Sequence, residues 1–398
     1  MRALAHKAWR LLPEGWRRAG MTTAASIIAP RPGPAPAQSR GVVLAGDPAG
    51  HYGIAESGRI IRRALGTLGL DRGAFPFGLP SVVPAQRAAL PEGAAVIAVL
   101  NAPLLPVAGA RLPRGLLQGR RMIGMWVWEL PVIPPDWRIG ARFVHDVWAP
   151  SRFCAEAFEA AAPGRVHVVP YPIAAVPLGA PVGDRAHFGL PADCFIVLCA
   201  FNLASSFTRK NPLASIAAFR AAFGNSRDAM LVLKVTGAAS HAADLALIHH
   251  AIGGAANIRL ITGDLPEAEL NGLLAASDAI LSLHRAEGFG LFPATGALLG
   301  KPVIATGWSG NLDFMAQESS ALISYKLVPV VDEYGVYNVR GAHWAEPSVE
   351  DAATWLKRLF DDSALRQHMG AAGQIHAQQT LGAAPLQTAL TAAGVTVG

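Results

Sequence analysis

The chain has 398 residues, of which 52% are hydrophobic and only 16% are charged. This composition excludes a disordered chain, and the length fits two domains better than one hydrophobic core. Mean hydropathy is positive, at +0.31. Every apolar run of about 18 residues is nevertheless interrupted by a charge or a turn residue, so the sequence predicts no membrane-spanning helix.

The excess positive charge, +6 in total, lies within residues 1–40, because the remainder has equal numbers of basic and acidic side chains. The neutral remainder argues against a nucleic-acid partner. Apolar residues among the charges of residues 1–20 predict a peripheral contact with anionic membrane lipid. A disordered tail is the alternative, and a start at Met21 would remove the contact. Residues 29–38 predict a stiff Pro-rich linker.

The three cysteines are Cys154, Cys194 and Cys199. None belongs to a Cys-x-x-Cys pair and no group of histidines accompanies them, so neither a zinc site nor a disulfide framework is expected. Core positions and a reducing, cytoplasmic compartment are expected instead.

Short apolar runs alternate with stretches of helical length, which indicates parallel sheets covered by helices. The predicted strands are 42–46, 95–100, 122–128 and 166–170 in the first half, and 195–201, 230–236, 258–262, 279–283, 302–306 and 321–324 in the second. Helices are expected over 54–68, 212–223 and 266–276. The fold class is therefore α/β, with two doubly wound, Rossmann-like domains facing each other across a ligand-binding cleft.

The expected division of the chain has four parts. A basic leader and Pro-rich linker occupy residues 1–40, and an N-terminal, acceptor-side domain occupies 41–178. A C-terminal, nucleotide-sugar-binding domain follows over 179–370, and a helical tail over 371–398 packs back on the N-terminal domain. The domain boundary is placed by a cluster of Pro and Gly residues between positions 172 and 183.

A tight loop, Glu287-Gly288-Phe289-Gly290, follows the strand that ends at residue 283. Its two glycines let the backbone approach a ligand closely, and the free amides of the helix that begins near Leu291 favour an anion. Glu287 can accept hydrogen bonds from sugar hydroxyl groups. A second turn, at residues 307–311, follows the next strand.

Two cations, Arg209 and Lys210, stand just before a helix that begins at Pro212. Cations are disfavoured at a helix N-terminus, so their presence there indicates a compensating anion. An arginine fork beside a lysine point charge suits a diphosphate.

Several stretches, in this order along the chain, resemble family 4 retaining glycosyltransferases of GT-B fold, in particular a bacterial mannosyltransferase-like branch. The resemblance covers about residues 41–360. Its matching stretches are Gly53-Ile54-Ala55-Glu56, Trp126 to Leu130, Trp148 to Ser151, Ser205 to Pro212, Leu233-Lys234-Val235, His284 to Leu291, Gly300 to Thr306, Ser309 to Met315 and Trp344 to Pro347.

The resemblance implies a role for each matching position. Arg209, Lys210 and Glu287 would be catalytic: the two cations bind the donor diphosphate and stabilise it as it leaves, and the carboxylate holds sugar hydroxyl groups. The other implied donor-binding residues are Gly288, Phe289, Gly290, Leu291, Ser309, Asn311 and, in the loop that closes over the phosphates, Gly53.

The implied reaction transfers a hexose from a nucleoside-diphosphate sugar to a glycan or lipid-linked acceptor, in the synthesis of a surface polysaccharide on the inner face of the membrane. Configuration is retained, no protein nucleophile takes part and no cofactor is expected. The chain contains no Asp-x-Asp, so the two cations would replace a metal ion. A GDP-mannose donor follows from the branch resemblance alone.

One departure from the family pattern is Thr295, which stands where the family has a second glutamate that binds the nucleotide ribose. An inactive sugar-nucleotide or glycan-binding relative is therefore the alternative function. A sugar-nucleotide epimerase on the same fold is a weaker alternative, because no cluster of acids around a histidine supports it. Thr295 is still expected among the donor-binding residues, through its hydroxyl.

Two further residues, His145 and Glu129, are candidates for the acceptor or sugar side. A structural role for His145 is at least as well supported. Trp126 and Trp128, which flank this region, are expected to be core aromatics.

Overall fold

The computed structural model describes residues 14–78, 90–113 and 115–397, which form two compact units. Unit 1 runs to Val176 and also contains Tyr334–Ala342 and the segment from Ala383 onwards. Unit 2 consists of Pro177–Glu333 and His343–Gly382. Both units are therefore discontinuous in sequence. The expected division had instead given each domain one continuous segment. Of the expected tail, residues 371–382 belong to unit 2 and only the remainder to unit 1.

Unit 1 is built on a six-stranded parallel sheet of order β3-β2-β4-β5-β6-β7. All residues of β2 and β4 are buried, as in strands covered on both faces. In chain order the elements are α1 Glu14–Ile28, β1 Ser39–Arg40, β2 Val42–Gly46, α2 Gly53–Thr67, β3 Asp71–Pro76, β4 Ala95–Val99, α3 Leu105–Gly109, β5 Met122–Met125, α4 Trp137–Gly140, β6 Asp146–Ala149, α5 Arg152–Phe158 and β7 Val166–Val168.

Unit 2 has a second six-stranded parallel sheet, of order β10-β9-β8-β11-β12-β13, and an antiparallel pair, β14 and β15. Its elements are β8 Phe195–Asn202, α6 Phe207–Lys210, α7 Pro212–Phe223, β9 Ala229–Thr236, α8 Ala242–Ile252, β10 Ile258–Thr262, α9 Glu267–Ala276, β11 Ala279–Ser282, α10 Leu291–Leu298, β12 Val303–Thr306, β13 Ala321–Ile323, β14 Tyr325–Pro329, β15 His343–Pro347, α11 Val349–Asp361 and α12 Ser363–Thr380. The chain then returns to unit 1 with α13 Ala384–Ala392 and β16 Val395–Thr396. The α/β prediction with two parallel sheets is confirmed.

The segment expected to be a leader and linker is packed into unit 1 where the structure describes it. Thr22, on α1, donates from Oγ1 to the Pro103 carbonyl at 2.9 Å. The linker carbonyl of Gly33 bonds to His145, and β1 pairs in parallel with β16. Buried Thr22 and Ala29 allow close packing because their side chains are small. The disordered-tail alternative is therefore wrong for residues 14–28, and residues 1–13 lie outside the described part of the chain.

The strand expected over 122–128 ends earlier, at Met125, although the Trp126 amide still donates to the Trp148 carbonyl of β6 at 3.0 Å. Trp126 lies edge-on to Trp137 and to Phe158, with ring centroids 5.7 and 5.6 Å apart. Trp126 and Trp128 are both buried, as predicted. The three cysteines are free thiols and buried, which confirms their expected core positions. Among the described helices, none combines the length and the apolarity needed to span a bilayer.

In unit 1, the backbone at Gly140, the last residue of α4, lies too close to another segment to leave room for a side chain. A Cβ atom at this position would lie 1.9 Å from the carbonyl oxygen of Ala102. We expect Gly140→Ala to lower the free energy of unfolding by about 1–3 kcal/mol, because the backbone must move apart. Denaturant titration measures this change in unfolding free energy. The slope of the free energy against denaturant concentration should stay the same as in wild type.

Gly66→Ala in α2 is the matched control, because nothing lies within 4 Å of its added Cβ. It should stabilise the protein by up to about 1 kcal/mol, through helix propensity. Equal effects of the two substitutions would contradict the close approach at Gly140.

Candidate functional site

The sheet of unit 2 changes direction between β8 and β11. From β8 the chain moves outwards through β9 and β10, then returns to place β11 on the other side of β8. The connections that leave the carboxyl ends of β8 and β11 therefore run apart and leave room for a ligand between them. Residues 203–210 follow β8 and residues 283–290 follow β11, so both predicted segments meet at this point.

The connection after β8 is held in an unusual backbone conformation around α6. Ser206 has φ 69° and Asn211 has φ 51°, values that L-residues rarely adopt. The Ser206 hydroxyl accepts from the Arg209 amide at 3.3 Å and donates to Asp332 Oδ1 at 3.0 Å. Strain of this kind concentrates at functional sites when surrounding contacts enforce it.

Three charged side chains meet at the switch point. Glu287 accepts from Arg209 Nη1 through Oε2 at 3.1 Å and pairs with the Lys210 ammonium through Oε1. Arg209 also donates to the carbonyls of Ala286 and Ser205, at 2.7 and 2.8 Å. The side chain of Arg209 is 2% exposed and that of Lys210 is 21% exposed. The structure thus brings the three predicted catalytic residues together, with Lys210 the more accessible of the two cations.

The carboxylate of Glu287 stays ionised despite its burial. Burial alone would raise its pKa, but the charges of Lys210 and Arg209 outweigh burial and lower the pKa to about 2. Two cations thus share one carboxylate, which leaves one net positive charge among the three side chains. A site of this charge attracts an anion while Glu287 itself stays ionised.

The loop after Glu287 is fixed by the turn after β12. The Glu287 amide donates to Ser309 Oγ at 2.8 Å, and the Gly310 amide donates to the Glu287 carbonyl at 2.9 Å. A Cβ at Gly310 would lie 2.2 Å from the Gly288 carbonyl, so the two loops touch backbone to backbone. The ring of Phe289 is buried against Phe314, with centroids 5.2 Å apart.

The helix α10 begins directly after this loop. Gly290, with φ 99°, precedes Leu291, the first residue of the helix. Pro293 has no amide hydrogen, so Leu291 and Phe292 supply the first-turn amides. The predicted turn and helix start are therefore where the sequence placed them.

His284 holds the two loops together, a role that sequence reasoning missed although the residue stands in the matching stretch. Its Nε2 lies 3.1 Å from Asn311 Oδ1 and 3.4 Å from the Trp308 carbonyl, so this nitrogen carries the proton. Its Nδ1 then accepts from the Ser282 hydroxyl at 3.0 Å. Burial, assisted by Lys210, lowers the pKa of His284 and keeps the ring neutral.

Thr295 lies in α10, one turn after Leu291. Its hydroxyl donates to the Leu291 carbonyl at 2.9 Å, an ordinary bond within a helix. The hydroxyl can still accept a hydrogen bond from a ligand. Its proton, however, is already engaged.

In unit 1, the predicted phosphate loop also follows a change of strand direction. The order β3-β2-β4 places the loop after β2 at the switch point of this sheet. Gly53 is the first residue of α2, and Arg59 binds the Gly50 carbonyl at 2.8 Å. Tyr52 donates to Asp47 at 3.0 Å across the loop.

The two acceptor-side candidates differ in what the structure shows of them. His145 accepts from the Met122 amide at 2.9 Å through Nδ1, so its Nε2 donates to the Gly33 carbonyl at 2.8 Å. Both ring nitrogens are thus engaged with the backbone, which is the structural role that the sequence also allowed. Glu129 is half-buried and accepts from the Tyr337 hydroxyl at 3.0 Å.

The solved structures to which this chain is similar share one fold. No family model matches the chain, and no curated protein matches it. Among solved structures, HepE of Anabaena in complex with UDP and glucose is similar with TM-score 0.63 and 15% identity, over 89% of this chain and 99% of that chain. The fold is that of the GT-B glycosyltransferases.

Two other solved structures agree with this GT-B fold. Sucrose-phosphate synthase from Thermosynechococcus elongatus is similar with TM-score 0.63 and 16% identity, over 89% of this chain and 98% of that chain. WaaG, a glycosyltransferase involved in lipopolysaccharide biosynthesis, is similar with TM-score 0.55 and 16% identity, over 88% of this chain and 99% of that chain. At such identities the likeness establishes the fold.

The neutral, buried His284 predicts a specific pH dependence of stability. The unfolded chain takes up a proton on this ring below pH 6.5 while the folded protein does not, because the folded pKa is lower. Stability conferred by the neutral ring is therefore lost as the pH falls below 6.5. We expect the difference in unfolding free energy between wild type and His284→Gln to narrow by up to about 1.4 kcal/mol per pH unit.

The measurement is denaturant unfolding at several pH values between 7.5 and 5. The control is His249→Gln, which changes an exposed histidine of α8. A difference for His284→Gln that stays constant over this range would show that the ring has the same pKa in the folded and the unfolded protein.

Proposed function

We propose that the protein is a glycosyltransferase that transfers a hexose from a nucleoside-diphosphate sugar, with the diphosphate bound at the switch point of unit 2. One observation carries this proposal: Glu287 lies between Arg209 and Lys210 where β8 and β11 diverge. The arrangement combines excess positive charge for a diphosphate with an ionised carboxylate for sugar hydroxyl groups. The GT-B fold supports the same function.

The three charged residues have different roles in this proposal. Lys210 is the accessible cation and contacts the diphosphate directly as a mobile point charge. Arg209 is buried, so it fixes Glu287 and adds to the positive field. The field stabilises the charge that develops on the leaving diphosphate, and its donors are already in place before the reaction.

The amides of Gly288 to Leu291 complete the donor site in this proposal, since α10 directs its first-turn N–H groups towards an anion. Ser309 and Asn311 hold this loop, through the Glu287 amide and through His284. Transfer proceeds with retention, as the family resemblance implies, and without a metal ion, since Lys210 and Arg209 supply the positive charge.

The donor and acceptor are proposed by class. HepE has been solved with UDP-glucose, with TM-score 0.63 and 16% identity, whereas the mannosyltransferase-like resemblance favours GDP-mannose. Both donors are therefore candidates. A glycan or lipid-linked acceptor in surface polysaccharide synthesis fits the resemblance and the similarity to WaaG.

Binding of nucleoside diphosphates tests the site. We expect UDP or GDP to bind wild type and Lys210→Ala to weaken binding about 10- to 100-fold, because a charge-assisted contact is lost. Arg209→Ala should also lower the free energy of unfolding by about 3 kcal/mol, because it takes a buried cation from Glu287 and a donor from the carbonyls of Ala286 and Ser205. Calorimetric titration and denaturant unfolding measure the two effects.

Lys357→Ala, which removes an exposed cation of α11, is the control and should bind like wild type. If wild type binds neither UDP nor GDP, the donor-site proposal is overturned.

The inactive relative is the second candidate function, and Thr295 is the observation that favours it. The engaged hydroxyl of Thr295 cannot replace both oxygen atoms of the family glutamate. Slow release of UDP or GDP from a bound donor without acceptor would support the transferase. Tight binding with no turnover would support the inactive relative.

The exposed face of α1 supports a peripheral contact with anionic lipid. Ile27 and Ile28 are 80% and 69% exposed, and Met21 is 45% exposed. The segment that contains them carries the whole excess of positive charge. Apolar side chains beside basic ones are what a helix in a membrane interface requires. The predicted contact through residues 1–20 would thus continue along α1.

Vesicle co-sedimentation tests this contact. We expect Ile27→Ser together with Ile28→Ser to reduce binding to vesicles of anionic phospholipid about tenfold, because two apolar side chains no longer enter the interface. The control is Ile375→Ser, which alters an isoleucine of α12 that is 57% exposed. Equal binding by both variants would exclude a contact through α1.

A further inference from the structure

The short helix α6, which carries Arg209 and Lys210, is connected at both of its ends to the β14–β15 region, through Ser206 at one end and through Arg285 at the other. This region comprises β14, β15 and residues 330–333, which follow β14. A helix of four residues has too few internal hydrogen bonds to be stable alone. Its orientation therefore depends on what its ends contact.

At its N-terminal end, the contact is a buried carboxylate. Asp332 is 2% exposed and accepts from the Ser206 hydroxyl at 3.0 Å. The same hydroxyl accepts from the Arg209 amide at 3.3 Å, which is an N-cap bond. Ser206 keeps φ 69° against its intrinsic preference, so its position depends on such partners. Asp332 thus acts on the helix through Ser206.

At the C-terminal end, the contact is made by Arg285. Its amide donates to the Arg209 carbonyl at 2.8 Å, and its Nη1 donates to the Thr208 carbonyl at 2.6 Å. A cation bound to these last-turn carbonyls also complements the helix dipole. Arg285 is fixed in turn by Glu346 of β15, which accepts from Nε at 2.6 Å.

The backbone of β15 adds a further bond to this end, from the Ala345 amide to the Arg285 carbonyl at 2.9 Å. The guanidinium of Arg285 also lies over the ring of Trp344, 5.7 Å from its centroid. Three consecutive residues of β15 therefore determine where Arg285 lies. Through Arg285, they determine where α6 ends.

We propose that Asp332 and Glu346 are positioning residues that together set Arg209 and Lys210 for the diphosphate. The inference rests on the proposed donor site. In the contacts described above, Asp332 acts on α6 through Ser206, and Glu346 acts on it through Arg285. A displacement of α6 by a fraction of an ångström is enough to weaken bonds to a bound anion.

Nucleotide affinity tests Asp332 first. We expect Asp332→Ala to raise the Kd for UDP or GDP about fivefold, because the cap that orients α6 is loosened. Asp332→Asn retains an oxygen that accepts from Ser206, and it should recover most of the affinity. Glu333→Gln is the matched control, because it changes the charge of the adjacent, exposed carboxylate.

A double-mutant cycle separates positioning from general destabilisation. In a Lys210→Ala background, Asp332→Ala should raise the Kd by less than about twofold, because the side chain that it positions is absent. Ser206→Gly removes the hydroxyl and tolerates the positive φ, so it should reproduce Asp332→Ala. If the Asp332→Ala variant does not fold, Ser206→Gly takes its place in the cycle.

Glu346→Ala tests the other end of the helix and should also raise the Kd about fivefold, with its effect likewise reduced in the Lys210→Ala background. The outcomes distinguish the two proposals. If wild type binds and Lys210→Ala weakens binding, while Asp332→Ala, Ser206→Gly and Glu346→Ala bind like wild type, the positioning role is overturned and the donor site stands. If wild type binds no nucleoside diphosphate, both proposals are overturned.

Discussion

The site in unit 2 depends on one buried carboxylate that stays ionised between two cations. An ionised group is expensive to bury, so Glu287 requires both partners, and each partner requires Glu287 in return. This mutual dependence fixes the end of α6 against the loop that follows β11, although 77 positions separate Lys210 from Glu287 in sequence. Local features that look unrelated, such as the left-handed Ser206 and the neutral His284, are supports for this ion cluster.

Much of this arrangement could be predicted because it follows from strand ends. Buried parallel strands leave continuous apolar runs, so their order along the chain was readable, and parallel carboxyl ends share one edge of a sheet. The family resemblance assigned Arg209, Lys210 and Glu287, each in a connection that follows such a strand, to one donor site. It could not assign different roles to the two cations, because burial of Arg209 depends on the carbonyls of Ala286 and Ser205, which no periodicity reveals.

The remaining differences from expectation come from contacts between distant segments. Asp332 reaches Ser206 across 126 positions, and His145 reaches Gly33 across 112. The amino-acid composition of residues 14–40 predicted a leader and linker, because Pro and basic residues are frequent there. The structure packs this segment on unit 1 through small side chains and backbone carbonyls, which carry little signal in a hydropathy pattern.

The pairing of β1 with β16 has a consequence for how the protein is made. The last strand of unit 1 is translated after all of unit 2, and Tyr334–Ala342 is translated after most of it. On the ribosome, the sheet of unit 1 therefore emerges first, but the last segment of unit 1 follows only after all of unit 2 has been translated. Unit 2 needs only residues up to Gly382, so it has its full set of strands and helices earlier. Unit 1 is thus the first unit to begin translation and the last to have all of its segments available for folding.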